Sequence, residues 1–455
     1  MTFANDLTRR RLLGSAAGAT ALAAWPRRAP AQGAARRVTF AFAPDDSGAI
    51  ERLVDGFNRA NGAGIEVEWR RMDRLSDAFF RELQSDFLAG ADRIDVFGSD
   101  VIWTAELAEA DRLLDLTRWL RGAEPPGGFV EAALRSTLWR GRAWAVPWFT
   151  DAGMLFYRRD LLEEAGLAPP DTWDALDAAA RAALDAGRVE HGFVFQGDAY
   201  EGGTANALEF IWSAGGRPWT GQVSVPGALG QGQALREPNV VTLNSPDAVA
   251  GLARARAFVA DGIAPAAVAD MREQEALDAF ASGRAMFMRN WPFAYGILAG
   301  GGSAVSADQV GVAPIPSLRP GEPSYSCLGG WNLAVPRAAR DPEAALVFID
   351  YATRPEQQRM MAEVGGFLPS LAALYADEGL RAAVPVVGLG EAAVRRARAT
   401  RLAGLLAPEP APGVPLRGRA PRRGRARRGG APRRGRAAPH PAPLRCLIRA
   451  PDPGA

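Results

Sequence analysis

Two spacings of hydrophobic residues alternate along the chain from about residue 38 onward. In VTFAFA, the apolar residues Val38, Phe40 and Phe42 recur at every second position, as on the buried face of a strand. Residues 50–57 follow helical spacing, and IEVEW at 65–69 returns to the strand pattern. The pattern predicts helices around 105–120, 173–186, 246–261, 273–282 and 342–353, and strands at 143–147, 153–157, 285–289, 310–313 and 332–335. Alternation of this kind predicts an α/β fold with open sheets flanked by helices.

Polar and aromatic residues cluster at the ends of the predicted strands. Ligands of open α/β sheets bind beyond the carboxyl ends of the strands, so these clusters are candidate binding residues. They are Pro44-Asp45-Asp46-Ser47, Ser99-Asp100-Val101-Ile102-Trp103, Trp148-Phe149-Thr150-Asp151, Tyr200-Glu201, Arg289-Asn290-Trp291-Pro292-Phe293 and Gly329-Gly330-Trp331.

The chemistry of these clusters fits a sugar. Carboxylates and amides hydrogen-bond hydroxyl groups, at about 1.5–3 kcal/mol for a charged partner. Aromatic rings stack on the C–H faces of a pyranose, and paired glycines let the backbone approach a ligand closely. Each residue also has a structural alternative: a tryptophan after a strand packs in the core, Asp100 caps a helix, Asp151 forms a turn, Glu201 lies on the surface, and Trp331 packs beneath the sheet.

Composition excludes several classes of chemistry. The 455 residues include 53 basic side chains, all of them arginine, with two histidines (His191, His440) and two cysteines (Cys327, Cys446). A chain without lysine has neither a Schiff-base lysine nor a phosphate-loop lysine. Two distant histidines and two distant cysteines exclude a His- or Cys-based metal site and a CxxC redox pair. We therefore expect no cofactor and no metal, and a strand-edge role for His191 rather than a catalytic one.

The first 31 residues have the features of an export signal. Paired arginines in TRRRLL precede an apolar stretch rich in small residues, and APA at residues 29–31 offers a cleavage site. The arginine pattern resembles the twin-arginine export signal. The sequence thus predicts a signal peptide over residues 1–31 and a soluble, periplasmic mature protein that begins near Gln32.

The last 48 residues, 408–455, differ from the rest of the chain. Residues 33–408 carry 36 arginines against 48 acidic residues, whereas residues 409–455 carry 12 arginines against two acidic residues. A segment made of Arg, Pro, Gly and Ala cannot bury a core and is expected to be disordered. Two interpretations stay open: a basic arm for nucleic acid or anionic lipid, and, as favoured here, out-of-frame translation of GC-rich DNA, which leaves no nucleic-acid partner.

A set of longer motifs resembles a known family. DVFGSDVIWTAELAEADRLLDLT, GRAWAVPWFTDAGMLFYRRDLL, FVFQGDAYEGGTANALEF, FASGRAMFMRNWPFAY, YSCLGGWNLAVP and GGFLPS run in order from about residue 36 to residue 406. They resemble the extracellular solute-binding proteins of ABC sugar importers, in the branch that carries trehalose and maltose. The resemblance implies a two-lobe periplasmic binding protein fold with a ligand cleft at the hinge.

The same resemblance implies boundaries for the two lobes. Lobe 1 is expected over residues 32–147 plus 297–337, and lobe 2 over residues 148–296 plus 338–407. The connections between the lobes are expected near 148–152, 292–298 and 336–342.

Matched motif by motif, the resemblance also implies the ligand contacts. The expected contacts are Asp46, Arg71, Asp100, Trp103, Phe149, Asp151, Glu201, Asn290, Trp291, Phe293, Gly329, Gly330 and Trp331. Trp291 is expected to stack on a pyranose ring. Relatives also use an arginine near the C-terminus, for which Arg396, Arg398 and Arg401 are candidates.

The implied function is binding without catalysis. The protein is expected to be a monomer that captures a disaccharide or related glucoside and delivers it to the membrane permease of an ABC transporter. Two alternatives stay open. One is an exported glycoside hydrolase that uses two of the carboxylates Asp100, Asp151 and Glu201. The other is a defective binding protein whose last helices have been lost to a frameshift.

Overall fold

A computed structural model describes residues 36–45, 47–62, 64–90, 93–122, 128–220 and 240–398. The predicted signal peptide, Asp46, Arg401 and the predicted tail at 408–455 lie outside the described residues. The strands are β1 Arg36–Phe42, β2 Ile65–Arg71, β3 Val96–Asp100, β4 Leu138–Trp139, β5 Arg142–Ala143, β6 Val146–Ala152, β7 Met154–Arg158, β8 His191–Val194, β9 Trp219–Thr220, β10 Val240–Val241, β11 Ala285–Asn290, β12 Val310–Ala313, β13 Leu328–Ala334 and β14 Leu368–Pro369.

The helices alternate with the strands over most of the chain. They are α1 Ala49–Ala60, α2 Ser76–Leu88, α3 Thr104–Glu109, α4 Thr117–Gly122, α5 Glu131–Ser136, α6 Arg159–Glu164, α7 Trp173–Asp185, α8 Glu201–Ser213, α9 Pro246–Ala260, α10 Glu273–Ala281, α11 Phe293–Ala299, α12 Pro342–Ala352, α13 Pro355–Gly365, α14 Glu378–Ala383 and α15 Pro385–Arg395. The single helix expected at 105–120 is two short helices, α3 and α4. None of the described helices is long and apolar enough to cross a membrane.

Several helix starts follow from their capping residues. The Thr172 side chain accepts a hydrogen bond from the amide of Ala175 at the start of α7. At the start of α12, the Asp341 carboxylate accepts one from the amide of Ala344, and Pro342 occupies the first helical turn.

Two sheets form the cores of two lobes. The first is six-stranded with the order β14-β6-β13-β3-β1-β2, in which β1, β2 and β3 are parallel and β13, β6 and β14 add antiparallel pairings. The second is four-stranded with the order β12-β7-β11-β8. We use first lobe and second lobe for the two sheets with the helices packed on them.

Buried apolar side chains hold each lobe together. In the first lobe, α1, α12 and the aromatic residues of β1 share one cluster, which includes Phe40, Phe57 and Phe348. In the second lobe, α7 and α9 cover β8 and β11 through Trp173, Phe193 and Phe258. The strand alternation read from the sequence is confirmed in β2, where Ile65 and Val67 are buried and Glu66 and Glu68 are exposed, whereas β11 is buried at all six positions.

The chain passes between the sheets at places that differ in part from the expected ones. Gly153 alone separates β6 of the first sheet from β7 of the second, next to the expected connection at 148–152. The return runs through residues 314–327, between β12 and β13. The connections expected at 292–298 and 336–342 are wrong, because α11 packs in the core of the second lobe and α12 packs on β1 in the first.

The expected lobe boundaries need corresponding corrections. Strand β12 pairs with β7, so residues 310–313 belong to the second lobe rather than to the first. Helices α12 and α13 pack with α1, so residues 342–365 belong to the first lobe rather than to the second. In both cases contacts between segments distant in sequence decide the lobe, and sequence order alone does not reveal them.

Candidate functional site

Three strand ends of the first sheet bring predicted residues side by side. In the register of the antiparallel pairs, Trp331 lies opposite Asp100, and Gly329 lies opposite Asp151. The Asp100 carboxylate accepts hydrogen bonds from the Ser76 hydroxyl at 3.1 Å and from the Ile102 amide at 3.2 Å. Asp100, Asp151, Gly329 and Trp331 therefore form one polar and aromatic edge of the first lobe.

Gly330 is required by the backbone at this edge. Its φ of 98° is a conformation that residues with a Cβ rarely adopt, and a Cβ there would lie 2.6 Å from the carbonyl oxygen of Phe149. The glycine pair therefore keeps β13 close to β6.

The residues at the end of β11 belong to the second lobe and lie opposite this edge of the first lobe. Trp291 is half-buried, and its indole Nε1 donates a hydrogen bond to the Glu273 carboxylate at 3.2 Å. The guanidinium of Arg289 lies 4.0 Å from the centre of the Trp291 ring, in cation–π geometry. Contacts with a carboxylate and a cation thus hold the ring in one orientation.

Trp291 also brings the two walls together. A Cβ built on Gly329 would lie 3.0 Å from Cζ3 of Trp291, so the edge of the indole passes close to the first-lobe glycine. We call Asp100, Asp151, Glu201, Trp291, Gly329, Gly330 and Trp331 the candidate site. Its members come from both lobes.

The three carboxyl groups of the candidate site lie in one electrostatic neighbourhood. Burial raises the pKa of Asp151 to about 8, with a further contribution from the charge of Asp100. Burial also raises the pKa of Asp100 to about 6, against the opposing hydrogen bonds from Ile102 and Ser76. The pKa of Glu201, the first residue of α8, is raised well above its usual value by burial and by the charges of Asp100 and Glu273. Such groups can accept hydrogen bonds from hydroxyls and, when protonated, donate them.

The raised pKa of Asp151 predicts a pH-dependent stability. Between about pH 4 and pH 8, folded Asp151 keeps a proton that the unfolded chain has lost, so stability falls as the pH rises through this window. Asp151→Asn removes the ionisation. The ligand-free variant should therefore gain about 1–2 kcal/mol relative to the parent protein between about pH 5 and pH 9, less than the full shift implies because the carboxyl group is partly exposed.

Denaturant unfolding of the ligand-free proteins at the two pH values measures this gain. Asp160→Asn is the control. Burial alone would raise the pKa of Asp160, but the hydrogen bonds and charge of Arg158, together with backbone hydrogen bonds, lower it. The window for a lowered pKa lies below about pH 4, so the control should keep a constant offset from the parent between about pH 5 and pH 9. A constant offset for Asp151→Asn as well would contradict the account.

Two of the expected ligand contacts are buried in the core of the first lobe. Trp103 and Phe149 are each 4% exposed and pack in the first-lobe core, Trp103 against Phe79 and Phe80, and Phe149 against Phe42, Trp148 and Phe367. Trp103 lies in the turn before α3 and Phe149 lies within β6, and neighbouring aromatic rings enclose both. Both residues pack in the core rather than offering a face to a ligand.

Of the remaining expected contacts, only that of Asn290 is corrected, whereas those of Phe293, Arg71 and Asp46 stay predictions. Asn290 is fully buried; its amide donates to the carbonyl of Glu273 and accepts from the amide of Trp291, so it shapes the turn that carries Trp291. Phe293 is partly buried against the second-lobe core. Arg71 is exposed, with its guanidinium over the Trp69 ring, and Asp46 lies outside the described residues.

The structure adds residues that the sequence analysis did not single out. Glu273 holds the indole of Trp291, and Ser76 holds Asp100. Glu209 forms a buried ion pair with Arg289, and a charged residue within the apolar run NALEFIW was a signal that could have identified it. Among the C-terminal arginines, Arg398 stacks on Tyr325, with its guanidinium 3.2 Å from the ring centre.

Comparison with known proteins gives one family. Residues 43–359 match the model of a family described as bacterial extracellular solute-binding protein. A probable ABC transporter-binding protein of Deinococcus radiodurans is 34% identical over 361 residues, which cover 78% of this chain and 81% of that protein. A probable amino-acid ABC transporter periplasmic-binding protein of Sinorhizobium fredii is 24% identical over 332 residues, or 70% of this chain and 69% of that protein.

A solved structure supports the same relationship. Maltose-bound MalE3 of T. maritima superposes with a TM-score of 0.70 at 33% identity, covering 81% of this chain and 90% of that chain. The two-lobe α/β architecture described above is therefore shared with a protein solved in complex with a disaccharide.

Proposed function

Because the chain belongs to the family of bacterial extracellular solute-binding proteins, we propose that it captures a disaccharide or related glucoside for an ABC transporter. The favoured ligands are sugars of the trehalose or maltose kind. The protein binds its ligand without chemical change and delivers it to a membrane permease.

The observation that carries this proposal is the half-buried indole of Trp291 beside Gly329, at the first-lobe edge that also carries Asp151. A pyranose has C–H faces that stack on an aromatic ring, and hydroxyl groups around its rim that donate to carboxylates. Trp291 offers the first kind of contact, and Asp100, Asp151 and Glu201 offer the second. The backbone beside Gly329 and Gly330 adds a surface that a ligand can approach closely.

The two lobes give the proposal a mechanism. Asp100 and Asp151 belong to the first sheet, whereas Glu201 and Trp291 belong to the second lobe, so a sugar that contacts both groups stabilises the closed arrangement. We further propose that the protein acts as a monomer in the periplasm, exported by the predicted signal peptide. The closed form is the one that docks on the permease.

A thermal-shift panel on the mature chain tests the proposal. The panel contains trehalose, maltose, sucrose, glucose, a pentose, a polyamine and an amino acid. A ligand that binds only the folded state adds about 2.7 kcal/mol of stability at a hundred times its Kd, so one disaccharide should raise the Tm clearly above the others. Glucose release from the same disaccharide, assayed in parallel, should be absent. A Tm rise with the amino acid alone, or enzymatic glucose release, would contradict the proposal.

A further inference from the structure

A buried ion pair in the second lobe touches the two connections described above, at Gly153 and at Cys327. Arg289 on β11 and Glu209 on α8 are 1% and 2% exposed, and two hydrogen bonds join them, Nε to Oε2 at 2.8 Å and Nη2 to Oε1 at 2.7 Å. Gln196 accepts from Arg289 Nη1 at 3.2 Å and donates to the carbonyl of Arg289 at 2.9 Å. The pair is therefore fixed within the second lobe.

The return connection rests directly on this pair. The backbone amide of Cys327, one residue before β13, donates to Oε1 of Glu209 at 2.9 Å. The same carboxylate oxygen also accepts a hydrogen bond from Arg289. Because this acceptor is charged and buried, its hydrogen bond with the Cys327 amide is stronger than one with a neutral acceptor.

The outgoing connection lies against the pair as well. A Cβ built on Gly153 would lie 1.9 Å from Glu209 Oε1 and 2.4 Å from Arg289 Nη2, so only a glycine fits between β6 and β7. The amide of Gly153 also donates to the carbonyl of Cys327 at 3.2 Å, which ties the two connections to each other.

On its other side, the ion pair contacts Trp291 of the candidate site. The Arg289 guanidinium that binds Glu209 also lies 4.0 Å from the centre of the Trp291 ring. One charged group thus contacts the proposed sugar platform and, through Glu209, the backbone that must change its dihedral angles when the lobes rotate.

We propose that the Arg289–Glu209 pair is the positioning element that couples ligand contact at Trp291 to the angle between the two lobes. This inference rests on the proposed function, since it assigns a role in ligand-driven closure to the same site. Anchoring Gly153 and Cys327 to the second lobe confines bending to the neighbouring first-lobe residues Ala152 and Leu328. Displacement of the indole by a ligand then shifts the guanidinium and the connections with it.

The test uses a double substitution, Glu209→Gln with Arg289→Met, in the full mature chain. Removing both charges avoids leaving one buried and unpaired, and the glutamine can still accept from Cys327. The control is Asp177→Asn with Arg254→Met, a second-lobe pair 3.3 Å apart whose side chains are each 16% exposed. Small-angle X-ray scattering gives the radius of gyration without ligand and with saturating maltose or trehalose, and calorimetry gives Kd.

The parent and the control should contract equally on sugar binding. The Glu209→Gln, Arg289→Met variant should contract by less than half as much and bind about ten-fold more weakly, as expected for the loss of a typical coupling free energy. A purely structural role would lower the Tm of both variants and leave contraction and Kd unchanged, which would overturn the inference.

Failure of the proposed function is distinguishable from failure of this inference. If the parent binds no sugar, the proposed function fails, and the ligand-free scattering profiles decide the inference. A ligand-free scattering profile that differs from the parent's only in the Glu209→Gln, Arg289→Met variant supports the inference. A profile of this variant that matches the parent's overturns the inference. If circular dichroism shows that this variant is unfolded, Gly153→Ala takes its place, because it displaces the pair while keeping both charges, and the same outcomes apply.

Discussion

Replacing Trp291 by alanine should weaken binding of the preferred sugar by roughly 100-fold, the loss of about 2–3 kcal/mol expected for a central aromatic anchor. The substitution removes the stacking face and leaves the carboxylate of Glu273 without its indole donor. It also exposes one side of the Arg289 guanidinium. Isothermal titration calorimetry with the sugar found in the thermal-shift panel measures the change.

Two further variants provide comparisons for Trp291→Ala. Trp291→Phe keeps an aromatic face but loses the hydrogen bond to Glu273 and part of the ring area, so its affinity should fall less than that of Trp291→Ala. Trp139→Ala removes a partly buried tryptophan from a first-lobe surface groove of about 420 Å³, away from the candidate site, and should leave Kd unchanged. Wild-type affinity in Trp291→Ala would remove the indole from the binding account.

Truncating Glu209 to alanine should cost about 3–5 kcal/mol of unfolding free energy, because it leaves the buried Arg289 charge without its partner. The amide of Cys327 loses its acceptor as well. Guanidinium chloride unfolding of the ligand-free protein measures the loss.

A surface pair provides the comparison for this prediction. Glu391→Ala breaks an ion pair with Arg395 whose arginine is 60% exposed, and it should change stability by less than about 1 kcal/mol. If Glu209→Ala behaved like Glu391→Ala, the Arg289–Glu209 pair would not hold the junction between the lobes.

The sequence predicts the elements better than their assembly. The period-two run VTFAFA predicted β1, and the apolar run at 285–289 predicted β11. The lobe boundaries failed at β12, which pairs with the distant strand β7 of the second lobe, and at α12 and α13, which pack against the distant helix α1 of the first lobe. Periodicity is a local signal and carries no information about such partners.

For the candidate site, too, the sequence singles out some residues and misses others. Strand ends carry polar residues to one edge of a sheet, so Asp100, Asp151 and Trp291 could be singled out from their positions. Trp103 and Phe149 failed because both rings pack in the first-lobe core, and the sequence does not show that the adjacent residues Trp148 and Phe149 of β6 are both buried there. Glu273 was missed because its only sequence signal, a glutamate at a helix start, is shared with many surface residues.

A crystal structure of the mature protein grown with maltose or trehalose would show where a sugar binds. The account predicts a pyranose ring stacked on Trp291, with hydroxyl groups on Asp100 and Asp151 from the first lobe and on Glu201 from the second. A sugar bound elsewhere, or a ligand without a sugar ring between these residues, would contradict it.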